Sequence, residues 1–122
     1  MEKYDIIQVE DDRFMSTLVK SGSYTKNLTY RGVCSLESLK NVMEDSCADH
    51  YIIDGNFPRT DCTDSPELLA EDAVNHIRSL HPDASIIIFS KDSDEAQAIA
   101  GRLGVKYYDK TDPCAIFSDI EQ

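Results

Sequence analysis

The sequence predicts a single α/β domain in which five strand–helix units build one parallel sheet covered by helices on both faces. Short apolar runs rich in β-branched residues recur along the chain, and near-continuous rather than alternating runs mark strands buried on both sides. Stretches of helical periodicity fill the intervals between them. The length, 122 residues, suits one compact domain spanning 1–122, with no repeat, linker or low-complexity segment to divide it.

The elements follow in order. Ile6-Ile7-Gln8-Val9 is the first strand and runs into the acidic cluster Glu10-Asp11-Asp12. Phe14, Met15 and Leu18 give the first helix its apolar stripe, which ends near Ser21-Gly22-Ser23. Residues 28–34 form a weaker strand. Ser35 then caps a helix whose inner face is Leu36, Leu39, Val42 and Met43. Tyr51-Ile52-Ile53 is the third strand and ends in Asp54. The polar stretch from Pro58 to Ser65 is the one long loop, and Asp64-Ser65-Pro66 opens a third helix carrying Leu68, Leu69, Ala73, His76, Ile77 and Leu80. Ile86-Ile87-Ile88-Phe89 is the strongest strand and ends in Ser90. A fourth helix with Ala96, Ile99, Ala100 and Leu103 closes at Gly104. Residues 105–108 are the last strand, followed by Asp109-Lys110, and Thr111-Asp112-Pro113 opens a short fifth helix with Ala115, Ile116, Phe117 and Ile120.

Charge narrows the possible partners. Twelve Lys and Arg against 23 Asp and Glu leave a net charge of −11, which disfavours direct contact with nucleic acid or an anionic membrane, since both need a basic face. No apolar run approaches the roughly 20 residues of a spanning helix, and the acidic start is unlike a signal peptide. The expected location is cytoplasmic. Cys34, Cys47, Cys62 and Cys114 form no C-x-x-C pair and have no histidine at metal-ligand spacing, so free thiols in a reducing compartment are expected. His76, on the apolar stripe of the third helix, reads as a partly buried packing residue.

In a parallel sheet the functional crevice lies at the carboxyl ends of the strands. There the chain delivers Glu10 and Asp11, then Asp54, Ser90 and Lys110. Carboxylates converging on one rim repel each other unless a cation sits among them, and an all-oxygen donor set suits Mg²⁺. A carboxylate beside such a metal can act as a nucleophile toward phosphorus. Ser90 offers the product a hydroxyl and Lys110 a positive charge. These residues describe a site for moving a phosphoryl group onto Asp54.

The ordered set Glu10-Asp11, Asp54-Gly55-Asn56-Phe57-Pro58, Ser90 and Tyr107-Tyr108-Asp109-Lys110 resembles the response-regulator (CheY-like) receiver domain of two-component signalling. The resemblance covers nearly the whole chain. It implies a flavodoxin-like (βα)5 fold with sheet order 2-1-3-4-5. It also implies Mg²⁺ held by Glu10, Asp11, Asp54 and the Asn56 backbone carbonyl. Asp54 would be the phosphoacceptor, assisted by Ser90 and Lys110, with Ser90 and Tyr107 as switch residues. Asn56 and Asp92 occupy the positions that tune loss of the acyl phosphate, although Asp92 reads equally well as a cap of the fourth helix. The implied partners are a sensor histidine kinase or phosphotransfer protein and a downstream protein of unknown identity, and the implied role is a signalling phosphoacceptor rather than an enzyme. The few residues after Lys110 hold no output domain, so output is expected through protein binding, onward phosphotransfer or a domain outside this sequence.

Three features depart from the family pattern. Thr111 stands where a proline is usual, Lys91 where a small residue is usual, and the loop from Pro58 is longer than is typical. They motivate an alternative, a receiver-like protein-binding module that works without phosphorylation. A Mg²⁺ phosphohydrolase is the weaker third reading, because Asn56 stands where a second catalytic carboxylate is wanted.

Overall fold

The computed structural model describes residues 1–91 and 93–120. Seven strands, five α-helices and a 3-10 turn follow one another as β1 (Glu2–Val9), α1 (Arg13–Thr25), β2 (Tyr30–Val33), α2 (Leu36–Val42), β3 (Ser46–Ile53), β4 (Asn56–Phe57), β5 (Glu67–Leu68), α3 (Ala70–Leu80), β6 (Ser85–Ser90), α4 (Asp94–Leu103), β7 (Lys106–Asp109), the turn Pro113–Ala115 and α5 (Ile116–Ile120). Five of the strands form one sheet of order β2-β1-β3-β6-β7, parallel throughout. Counting those five alone, the order is the predicted 2-1-3-4-5.

Alternation along the central strands decides which helix lies on which face. Ile7, Val9, Tyr51 and Ile53 pack with Leu36, Leu39, Val42, Ala73, Val74 and Ile77 of α2 and α3. Their neighbours Ile6, Ile52, Ile87 and Phe89 point the other way, onto Val19 of α1 and Ile116, Phe117 and Ile120 of α5. Ile88 meets Ala96, Ile99 and Ala100 of α4. Cutting a fully buried side chain such as Leu39 back to alanine costs on the order of 2–5 kcal/mol.

The local chemistry sets the helix ends. Asp12 caps α1 by accepting from the Phe14 and Met15 amides. Ser35 and Ser38 form a reciprocal capping box at α2. Ser93 caps α4, and Gly104 ends it with φ of 70°, a left-handed conformation that costs glycine little.

Three expectations need correction. The first helix runs on to Thr25, two residues past Ser23, and does not bury Phe14 or Leu18, which are 72% and 36% exposed; its inner residues are Val19 and Ser23, with Met15 partly buried. Gly22 lies against the Phe117 ring, where a β-carbon would come within 2.7 Å, so α5 selects the inner face of α1. The third helix starts at Ala70 and not at Pro66, because Glu67-Leu68 pairs antiparallel with Asn56-Phe57 as a small ribbon. Cys34 and Cys62, expected as free thiols, are joined as a disulfide; Cys47 and Cys114 are free.

Candidate metal centre

The strand order reverses between β1 and β3, which makes their carboxyl ends the switch-point crevice. Val9 and Ile53 are the last paired residues of those strands, and the Asp54 amide donates to the Val9 carbonyl at 3.1 Å. Glu10 and Asp54 therefore emerge side by side, about one strand spacing apart. Both are buried, at 5% and 8% exposure. Asp11 is half-buried at the mouth. One oxygen from each of Glu10, Asp11 and Asp54 lies within 4.8 Å of the others.

Lys110 enters from the far side. Ser90 and Asp109 pair at the ends of β6 and β7, and the Lys110 amide donates to the Ser90 carbonyl at 3.0 Å, which fixes where the lysine leaves the sheet. Its Nζ donates to Glu10 Oε2 at 3.0 Å and Asp54 Oδ2 at 3.1 Å, and lies 2.8 Å from Glu10 Oε1. One cation among three carboxylates leaves a deficit of positive charge in a poorly solvated place. The protonation states reflect it. Burial, reinforced by Asp54, pushes the Glu10 carboxyl up to about 8 despite Lys110. Burial also raises Asp11. For Lys110, burial pulls downward, but Asp54 and Glu10 outweigh it and hold the ammonium above its ordinary value.

These residues fit a hard divalent cation. Glu10 Oε1 is buried, and among the described residues the cation beside it is Lys110 Nζ at 2.8 Å; a carboxylate oxygen so placed keeps lone-pair capacity toward a second cation at the centre of the cluster. The donors are all oxygens, as Mg²⁺ prefers. A divalent ion would offset the two negative charges that Lys110 leaves unbalanced when all three carboxylates are ionised.

The other predicted site residues sit around this centre. Ser90 is buried, and its carbonyl accepts from the Tyr107 hydroxyl at 3.1 Å. The same hydroxyl accepts from the Ser93 amide at 3.4 Å, so Tyr107 ties the end of β6 to the start of α4. Asn56 begins the ribbon with its side chain exposed. Lys91 and Thr111 are exposed at the rim, and the Thr111 amide donates to Asp109 Oδ1 at 2.9 Å. Asp92 lies outside the described residues.

Gly55 stands in the motif Asp54-Gly55-Asn56-Phe57-Pro58, where the sequence alone assigns it no role. A β-carbon there would come within 2.9 Å of Ser90 Oγ and 3.2 Å of the Ala96 β-carbon. Its lack of a side chain lets β6 and α4 close against the residue that follows Asp54. Only the glycine's adjacency to Asp54 hinted at this.

No protein-family profile matches the chain, and no curated protein matches it. Solved structures do match, and the most similar are mostly receiver domains. A CheY-like receiver domain protein from Methanospirillum hungatei superposes with a TM-score of 0.77 at 14% identity, covering 99% of this chain and 91% of that one. The signal receiver domain of an HD domain-containing protein from Pseudomonas fluorescens gives 0.79 at 14% identity, with coverages of 99% and 92%. A Francisella response-regulator receiver domain gives 0.76 at 15%, with coverages of 99% and 94%. Along nearly its whole length, this chain has the fold of response-regulator receiver domains.

Proposed function

We propose that the chain is a phosphoacceptor receiver of a two-component or phosphorelay pathway, taking a phosphoryl group onto Asp54. The observation that carries this reading is the buried constellation itself. Three carboxylates share one small volume, and Lys110, arriving from the end of β7 past the end of β6, contacts both Glu10 and Asp54.

Glu10, Asp11, Asp54 and the Asn56 carbonyl would hold Mg²⁺. When bound, the ion offsets the charge of the incoming phosphoryl oxygens. The chain's own groups do the rest. An Asp54 carboxylate oxygen attacks phosphorus and forms an acyl phosphate. The phosphorus–nitrogen bond of a phosphohistidine breaks, and the departing imidazole keeps the electron pair. Lys110 moves from carboxylate to phosphoryl oxygen, exchanging one charge-assisted contact for another. Ser90 donates its hydroxyl to the same group. Because its carbonyl holds the Tyr107 hydroxyl, movement of Ser90 releases that ring and shifts the surface of α4, β7 and α5 between two arrangements. Asn56 and Asp92 would orient the water that later removes the phosphoryl group. The chain acts as a signalling partner rather than as an enzyme with a turning-over substrate. Its donor would be a cytoplasmic histidine kinase or phosphotransfer protein, and its output contact with a further protein. Among the described residues no helix is long and apolar enough to cross a membrane.

Intact mass after incubation with Mg²⁺ and acetyl phosphate tests this. One phosphoryl increment is expected, dependent on Mg²⁺ and absent in Asp54→Ala. No increment, with no heat of Mg²⁺ binding on titration, would overturn the reading in favour of a binding module that works without phosphorylation.

A further inference from the structure

The connection from β3 to α3 leaves the rim as a closed excursion. Its base is held by the ribbon, where Asn56 pairs Leu68 and Phe57 pairs Glu67. Two amides of α2 hold it as well, Leu36 donating to the Pro58 carbonyl at 3.0 Å and Glu37 to the Arg59 carbonyl at 2.9 Å. Beyond Arg59 the hydrogen bonds of residues 60–66 are all internal among the described residues. Thr60 and Asp61 bond Asp64, and Thr63 bonds Asp61. What ties this tip to the rest of the domain is Cys62, bonded to Cys34 just past the end of β2. The two α-carbons stand 5.5 Å apart and the residues are 28 apart in sequence, within normal disulfide reach. Cys62 is exposed and Cys34 half-buried, so a small thiol can reach the bond from solvent. Both cysteines and Thr63 line a cavity of about 580 Å³ whose wall also includes Glu10, Asp11 and Arg13.

We propose that Cys34 and Cys62 are a reversible two-electron modification site, and that their oxidation state sets how the loop tip walls the cavity beside the acidic cluster. The oxidant class is a small-molecule disulfide. The Cys62 thiolate attacks one of its sulfurs, and a thiolate leaves with the electron pair. The Cys34 thiolate then attacks Cys62 in the mixed disulfide and expels the second. Two protein thiols are oxidised, one disulfide is reduced to two thiols, and the two protons end on those thiols. Excess thiol reverses both steps. In the reduced state the tip keeps its base and its internal turn but loses its tether.

The regulatory consequence rests on the phosphoacceptor reading, whereas the tether does not, and three readouts on the full chain separate them. The protein is equilibrated across glutathione–glutathione disulfide ratios, quenched with N-ethylmaleimide and weighed. Two alkylations should disappear together as the ratio turns oxidising. Trypsin cleavage at Arg59–Thr60, followed by mass spectrometry, should be at least tenfold faster in the reduced protein and in Cys62→Ser under either buffer. The initial rate of labelling by acetyl phosphate should differ at least threefold between oxidised and reduced protein, and not respond to the buffer in Cys62→Ser. Alkylation of Cys34 and Cys62 at every ratio, or cleavage rates within twofold of each other, would overturn the tether. Equal labelling rates would overturn the regulation. A tether that behaves as expected with no labelling in either state would uphold the redox site and sink the phosphoacceptor reading.

Discussion

The two ends of the sheet hold the same kinds of charge in opposite settings. At the amino end, Lys3 pairs with Asp49 at 3.0 Å, with side chains 63% and 50% exposed. At the carboxyl end, Lys110 meets Glu10 and Asp54 at similar distances, but is only 12% exposed itself. Water stabilises the separated charges of the first pair almost as well as the pair does, so that contact adds little. The second set has lost most of its water, carries excess negative charge, and depends on its one cation. The fold is completed at the amino end and left electrostatically unfinished at the carboxyl end, and an unfinished charge balance is what a site for a cation and an anionic group requires.

Removing each lysine gives the sharpest contrast. Lys110→Met leaves two buried carboxylates without their partner and should lower the unfolding free energy by about 3–5 kcal/mol. Lys3→Met should leave the denaturation midpoint where it was. The pH dependence supplies a sign check. Glu10 in the folded chain binds its proton more tightly than its ordinary value of 4.5, up to about 8, so the site's contribution to stability falls as pH rises through that window. The deficit of Lys110→Met against the parent should therefore widen between pH 5 and pH 9. Urea denaturation across that range would break the comparison if both variants behaved alike.

Reduction of the Cys34–Cys62 bond comes next in size. Closing a 28-residue separation constrains the unfolded chain by about 3.6 kcal/mol on the chain-entropy view. Thermal unfolding with and without a phosphine reductant should show a drop on the order of 10 °C, and Cys62→Ser should show the same drop without the reductant. The carboxyl end would then rely on a covalent bond as well as on charge, while the described residues of the amino end carry no such link.

Adding the cation should reverse part of the electrostatic strain. Mg²⁺ at ten times its dissociation constant stabilises the folded chain by about 1.4 kcal/mol through mass action, and chelation should remove that gain. Asp11→Asn should lose most of the shift, since Asp11 is the half-buried member at the mouth, while Asp49→Asn at the other end should keep it. Scanning calorimetry with Mg²⁺ and with EDTA checks both.

Much of this arrangement was legible because it follows from register. Ile6-Ile7-Gln8-Val9, Tyr51-Ile52-Ile53 and Ile86-Ile87-Ile88-Phe89 announce buried parallel strands, and the residue after each is a polar group at a common rim. The rest escaped for physical reasons. Two-residue strands such as Asn56-Phe57 have no periodicity to detect, so the ribbon was read as part of a loop and a helix start. The link between Cys34 and Cys62 depends on where the long loop turns back, which spacing does not encode. In α1 both Phe14-Leu18 and Met15-Val19-Ser23 are spaced for one helical face. The choice between them lies with Phe117, 95 residues beyond Gly22 in the chain, which packs on that glycine.

The smallest effect lies on α3, toward the amino end. His76 is half-buried, its Nε2 has no hydrogen-bond partner among the described residues, and burial, with Lys40 nearby, lowers its affinity for a proton. A histidine harder to protonate when folded favours the folded state at high pH, and that advantage is lost as pH falls through about 6.5, the ordinary value. The loss should stay under about 1 kcal/mol, because the ring is partly open to water. His76→Gln should flatten the fall in stability between pH 7.5 and 5.5 without moving the Mg²⁺ response. A variant that abolished Mg²⁺ stabilisation as well would mean that the two ends are coupled through α3, and the division between a completed end and an unfinished one would have to be redrawn.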